Sequence, residues 1–211
     1  MSVEGNIKSL IETIPQDVKL VAVSKFKPEE DIMAAYAAGQ RRFGENRPLE
    51  MASKAKDLPK DIEWHFIGHL QTNKIKNVIP YAALIESVDS LHLLEAIDAA
   101  ASRLGKVVDC LLEVHVAAEQ TKGGFTPEEA VAVAKEAAAG KYPFVRLCGI
   151  MAMATNTDDM DVVRSDFHRA REVQQATGLK ELSMGMSGDW PIAVEEGATI
   201  VRIGSAIFGE R

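Results

Sequence analysis

Short, nearly continuous apolar runs alternate along this chain with longer stretches whose apolar residues recur every third or fourth position. The first pattern predicts strands buried on both faces, the second amphipathic helices packed against them. A short amphipathic helix is expected over residues 6–14, ended by Pro15, before a first strand at 18–26 (VKLVAVSKF). Pro28-Glu29-Glu30 then opens a helix that runs through Ala38 and stops at Gly39. The next pairs are a strand at 42–44 with a helix at 49–56, and a strand at 62–68 with a helix near 73–78. A strand at 84–88 precedes a long Ala-rich helix at 91–104 that Gly105 closes. Strand 107–116 leads through a loop at 119–125 to Thr126-Pro127-Glu128-Glu129. That is a helix start with an N-cap, proline in the first position and acids in the first turn, and the helix extends to Ala139. The series ends with strand 145–153, helix 160–177, strand 182–186, helix 190–196 capped by Asp189, and strand 199–203.

Roughly eight strands alternating with helices match the pattern of a single (β/α)₈ TIM-type barrel, here with an extra N-terminal helix. A doubly wound open sheet is the main competitor. It usually carries a Gly-rich turn after its first strand, where this chain has Ser24-Lys25-Phe26-Lys27-Pro28. No linker, low-complexity segment or repeat interrupts the alternation, so residues 1–211 are read as one domain.

Composition narrows the function classes. A net charge of −7 argues against a nucleic-acid binder, which usually shows a basic face. Charged residues at 26% and hydrophobic ones at 46% are ordinary for a soluble globular protein. Cys110 and Cys148 both lie in apolar runs and are expected to be buried, reduced thiols, with neither a disulfide framework nor a zinc site. The start MSVEGNIKSL lacks a signal-peptide pattern, and no apolar run reaches membrane-spanning length. A cytoplasmic protein is expected.

In such barrels, binding residues come from the C-terminal ends of strands. Those ends are Lys25, Asn46, His65 with His69, Ser87, His115, Lys122, residues 151–156, Met186 with Ser187, and Arg202 with Gly204 and Ser205. The stretch 182–211 holds two of them close together. Ser187-Gly188 and Gly204-Ser205 each close a strand with small residues, hydroxyls and free backbone N–H groups beside a helix start, which is chemistry suited to phosphate. Either pair alone is ordinary turn chemistry. Two on adjacent strands are harder to set aside.

Lys25 ends the apolar strand VAVSK. Most lysines are solvated surface charges, but partial burial at a barrel mouth lowers the amine's affinity for its proton and lets it attack an aldehyde. A Schiff-base lysine opposite a phosphate cradle is what pyridoxal 5′-phosphate requires. Arg202, flanked by Val201 and Ile203, is either a salt-bridge partner of a core carboxylate such as Glu113 or Glu86, or a donor to the cofactor's pyridine nitrogen. Arginine only donates, so that nitrogen would be unprotonated and the ring a weak electron sink. His65 and His69 have a helical metal-ligand spacing but lie on strand and turn, so no metal is expected. Asn46 either binds a ligand or caps the next helix. The run 149–153 reads as core, with Met153 touching a ligand.

Taken in order, VAVSKFKP, FGEN, WHFIGHLQTNK, GIMAMA, LSMGMSGD and TIVRIGSAIFGER resemble the motifs of the pyridoxal phosphate homeostasis proteins, from about Val18 to Arg211. The resemblance implies a barrel of the alanine racemase N-terminal type. It implies that Lys25 carries the cofactor as an internal aldimine, that Ser187, Gly204 and Ser205 hold its phosphate, and that Arg202 faces its pyridine nitrogen. Asn46 and His65 match positions lining the ligand site. The family is regarded as buffering the cofactor and maintaining vitamin B6 balance without established catalysis. This chain departs from the family pattern at Arg47-Pro48-Leu49, at His115 and in the loop Thr121-Lys122-Gly123-Gly124, all rim positions.

Three functions compete. A non-catalytic carrier and regulator of pyridoxal phosphate, with pyridoxal-phosphate-dependent enzymes as clients, fits the resemblance. A weakly active amino-acid racemase on the same cofactor would need a second base from a further domain, and the chain ends directly after its last strand. A barrel enzyme forming a Schiff base with another phosphorylated metabolite would be colourless where bound pyridoxal absorbs visible light. A monomer is expected, because no long apolar helix face is left unpaired.

Overall fold

Eight parallel strands close on one another in sequence order in the computed structural model, which describes residues 2–118 and 123–209. The strands are β1 (Lys19–Val23), β2 (Arg42–Glu45), β3 (Glu63–Phe66), β4 (Ala82–Val88), β5 (Val108–Val114), β6 (Val145–Ala152), β7 (Glu181–Ser183) and β8 (Ile200–Ile203). Helix α1 (Val3–Thr13) precedes β1. Helices α2 (Glu29–Ala37), α3 (Pro48–Asp57), α4 (Leu91–Leu104), α5 (Pro127–Ala138), α6 (Met160–Thr177) and α7 (Trp190–Glu195) connect successive strands. A short α8 (Ser205–Phe208) follows β8. The TIM-type barrel expected from the alternation is therefore the fold.

Local chemistry accounts for the helix boundaries. Ser90 caps α4 through the N–H of Leu93, and Gly105 ends it at a φ of +60°, where a side chain would be strained. Thr126 and Glu129 form a reciprocal capping box on α5. Helix α1 begins earlier than its apolar period suggests, because the Ser2 hydroxyl accepts from Gly5 N at 3.2 Å and starts the helix on polar residues.

Three expectations are corrected. The segment between β3 and β4 is a 3₁₀ turn over Thr72–Asn77 and not an α-helix, because its few residues hold only Ile75 against the core. Most strands are shorter than their apolar runs. Residues 24–26, 67–68 and 184–186 lie beyond the strand ends at the barrel mouth, although Ser24, Ile67 and Met184 still donate to the neighbouring strand. Cys148 is only half-buried, whereas Cys110 is fully buried; both thiols are free. Helix α8, at the helix start expected beside Gly204-Ser205, is a single turn.

The largest core lies between the strands and the helices. A second apolar cluster of Val21, Leu84, Leu111, Met151 and Ile200 plugs the barrel itself, with Cys148 and Met153 packed against it. Above this plug the buried side chains turn polar: His65, Glu86, Ser183 and Arg202. The barrel is thus a packed core with a polar layer at its C-terminal end. Among the described residues, no helix is long and apolar enough to cross a membrane.

Strands β6 and β7 approach closely at Gly149, where a Cβ would lie 2.0 Å from the Glu181 carbonyl oxygen. Gly149→Ala is expected to destabilise the fold by about 3 kcal/mol, read as a lowered midpoint in chemical denaturation.

Candidate functional site

Pairing of β1 with β8 aligns Val21 with Arg202 and Ala22 with Ile203. The segments leaving these two strands therefore emerge side by side, Lys25 on one and Gly204-Ser205 on the other. The loop after β7 brings in Ser187. Together with Lys27 and Arg202 these residues line an open cavity of about 430 Å³ at the barrel mouth. Its described wall carries three cationic side chains, Lys25, Lys27 and Arg202, and no carboxylate, which favours an anion.

Backbone donors point the same way. The N–H groups of Gly204 and Ala206 converge on one oxygen, Ser187 Oγ, at 3.3 Å each. Both bonds are longer than usual, so an anionic oxygen competes well for these donors. Asp189 stands at the N-cap position of α7 but, contrary to expectation, makes no cap bond to that helix. Its carboxylate accepts from Met186 N at 2.5 Å and so folds the loop that carries Ser187. At Gly204 a Cβ would lie 3.3 Å from Val23 Cβ, a tight contact against β1. Helix α8 is held from two sides, by Lys27 Nζ donating to Phe208 O (2.9 Å) and by Asn6 Nδ2 donating to Ile207 O (2.8 Å).

The cavity floor is a buried polar network. The Arg202 guanidinium donates to Ser183 Oγ at 2.6 Å and to Ala152 O at 3.1 Å, and lies 3.7 Å from Glu86 Oε2. Glu86 also accepts from the Ser183 hydroxyl at 2.5 Å and pairs with His65 Nδ1 at 2.6 Å. A carboxylate only accepts, so that imidazole nitrogen carries the proton. Burial would raise the Glu86 carboxyl, but the hydrogen bond and charge of His65, the charge of Arg202 and the Ser183 hydroxyl together hold it below the usual range. Burial lowers the Arg202 pKa against the pull of Glu86, Glu113 and Asp189. Arg202 thus has a core carboxylate within reach, as one reading of its sequence position expects, and it lines the cavity. Glu113 behaves differently. Burial first, then the charge of Asp89, raises its carboxyl to about 7 against the charges of Arg202 and His69.

Of the eight candidate residues, Lys25, Ser187, Arg202, Gly204 and Ser205 share the cavity wall. The other three do not line it. Asn46 is half-buried, its Oδ1 buried without a hydrogen-bond partner among the described residues, and its backbone sits against Gly68, where a Cβ would lie 2.3 Å from Asn46 O. His65 lies below the wall on Glu86. Met153 is half-buried and packs on the barrel plug. His69 is exposed and pairs with Asp89 at 2.9 Å; no cluster able to hold a metal occurs among the described residues. Ser87 donates to Gly68 O at 2.5 Å, and His115 keeps Nδ1 buried without a described partner. Lys122 lies outside the described residues. Three contributors escaped the sequence reading: Lys27, Ser183 and Asp189 as a loop brace. Only Lys27 had a signal, its spacing of two from Lys25 beside the same strand end.

Comparison with known proteins agrees with the fold. Residues 2–211 match the family described as "Alanine racemase, N-terminal domain". The chain is 41% identical to the pyridoxal phosphate homeostasis protein of Aquifex aeolicus, over 92% of this chain and 87% of that one. It is 38% identical to the Synechocystis protein of the same name, over 96% and 95%. PipY of Synechococcus elongatus, solved with PLP bound, superposes with a TM-score of 0.88 at 36% identity, over 99% of this chain and 100% of that one. The alanine racemase of Corynebacterium glutamicum matches with a TM-score of 0.76 at 18% identity, over 60% of its own length, a likeness of fold alone.

The raised Glu113 carboxyl sets a pH dependence. Folded Glu113 holds its proton up to about pH 7, while the unfolded chain releases it at the ordinary carboxylate value near ~4.3. This contribution to stability is full below the lower value and is lost as pH rises to the upper one. Glu113→Gln is therefore expected to raise the thermal midpoint near pH 8 by a few degrees and to change it little at about pH 5.

Proposed function

Because this chain belongs to the pyridoxal phosphate homeostasis proteins, within the alanine racemase N-terminal domain family, we propose that it binds pyridoxal 5′-phosphate at the barrel mouth, covalently on Lys25, and serves intracellular vitamin B6 homeostasis. One observation carries this reading: a lysine, a donor-only arginine and a hydroxyl on which two backbone N–H groups converge share a cavity with no described carboxylate. When bound, the cofactor supplies an aldehyde that condenses reversibly with primary amines and a ring that can accept electron density.

The residues divide the work by chemistry. Lys25 provides the amine. Ser187 and Ser205 hydroxyls, with the N–H groups of Gly204 and Ala206, hold the phosphate. Arg202, fixed by Ser183 and Ala152, presents a donor that keeps the ring nitrogen unprotonated and the ring a poor electron sink. Asn46, His65 and Met153 lie off the cavity wall, His65 acting on Arg202 through Glu86.

Holding without turnover is the better account of this set. Racemisation by two bases needs a second proton-exchanging group on the far side of the substrate. On the described wall only Lys27 accompanies Lys25, and its amine is bound to the carbonyls of Phe208 and Gly209. A cytoplasmic carrier that yields its cofactor to client enzymes fits a reversible bond to a single amine.

Titration of the purified protein with pyridoxal phosphate should develop a visible absorption band that borohydride fixes onto Lys25. Lys25→Ala should lack it. Ser187→Ala should weaken binding about tenfold to a hundredfold, the value of a hydrogen bond to a charged group. A wild-type protein that stays colourless with excess cofactor would sink the proposal.

A further inference from the structure

Lys25 sits in a turn that its own residues do not favour. The N–H of Lys27 donates to Ser24 O at 3.0 Å, so Lys25 and Phe26 are the two central residues. Phe26 has a φ of +63° and is the one non-glycine residue with positive φ among those described. Glycine or asparagine ordinarily occupies that place, since a side chain there crowds the backbone. Strained backbone of this kind persists only where its surroundings enforce it.

The surroundings here are ionic. Lys54 on α3 is buried and donates to Ser24 O (2.9 Å), Glu45 Oε1 (2.8 Å) and Glu50 Oε1 (2.7 Å). The Ser24 hydroxyl donates to the same Glu45 oxygen at 2.7 Å. Glu50 Oε1 in turn accepts the N–H of Phe26 at 2.7 Å. Both neighbours of Lys25 are thus tied into one cluster built from the end of β1, the end of β2 and α3. The Arg47 guanidinium lies over the half-exposed Phe26 ring at 4.3 Å and holds that side chain in place.

We propose that the Glu45–Glu50–Lys54 cluster is a positioning device for Lys25, holding the turn at Phe26 in the conformation that presents the Lys25 amine to the cavity. Glu50 is the decisive member, because its carboxylate joins Lys54 to the N–H of the strained Phe26. None of the three lines the described cavity wall; the cluster acts through the backbone. The inference rests on the cofactor reading above for its consequence but not for its geometry.

Glu50→Ala tests it in the full chain, and Glu50 is partly exposed enough for the fold to survive. Affinity for pyridoxal phosphate, from the absorption titration, should fall about tenfold, or ~1.4 kcal/mol. Glu50→Gln, which keeps an acceptor for the Phe26 N–H, should stay within about twofold of wild type. Adding Phe26→Gly to Glu50→Ala should restore most of the affinity, because glycine adopts positive φ without enforcement. Unchanged affinity in Glu50→Ala, or no recovery on adding Phe26→Gly, overturns the proposal. Amide exchange at Phe26 in the cofactor-free protein should quicken in Glu50→Ala, and unchanged exchange overturns it equally. A wild-type protein that never develops the band refutes the cofactor reading alone; the exchange measurement then still decides the clamp.

Discussion

Closure of the barrel between its first and last strands is the constraint on which the site depends. The β1–β8 ladder sets Val21 beside Arg202, so that a lysine from one end of the chain and two small residues from the other leave the sheet together. Neither half of the cavity exists without that pairing. Below it, Val21, Leu84, Leu111, Met151 and Ile200 fill the interior and exclude water from the floor. A filled interior raises the electrostatic stakes of everything placed on top of it.

Two buried ionic groups answer that demand in different ways. Around Glu86, one carboxylate is shared by an imidazole, a hydroxyl and a guanidinium, so that Arg202 can be buried while keeping donor capacity toward the cavity. Around Lys54, one ammonium is shared by two carboxylates and a carbonyl, and the result is a fixed backbone. Burial of unpaired charge would be strongly unfavourable in either place. Burial raises the Glu45 carboxyl, which Lys54 and Ser24 pull back, and one Glu45 oxygen still lacks a described partner. The cost of that arrangement is structural evidence that geometry there matters more than stability.

Much of this was legible along the chain because it is local. Strand–helix alternation, the Ser90 and Thr126 caps and the Gly105 stop depend on neighbours a few residues apart, and helices α4 and α6 have the boundaries their periods predict. Lys25, Ser187, Arg202, Gly204 and Ser205, which share one cavity wall, could be grouped in advance because barrel sites gather at strand ends, and each marks one. The partnerships were not legible. Ser183 reaches Glu86 across 97 positions, and nothing in either local pattern announces the contact. Apolar runs also overstated the strands, because residues such as Met184 remain buried beyond the strand end. The diversion of Asp189 from capping to loop bracing reflects competition between two nearby N–H groups that only tertiary geometry resolves.

The clasp between the two ends of the described chain has a consequence for biogenesis. Asn6 on α1 and Lys27 after β1 both grip α8, which cannot be present until β8 has been made. A ribosome emits Lys25 well before Ser187, Gly204 and Ser205, so a nascent chain carries one side of the cavity without the other. Ligand free energy is then available only to finished, closed molecules, since a ligand stabilises only the state that binds it. Occupancy by the cofactor would thus mark completed folding, and a cell short of the ligand would hold a larger fraction of molecules in which the ends can part.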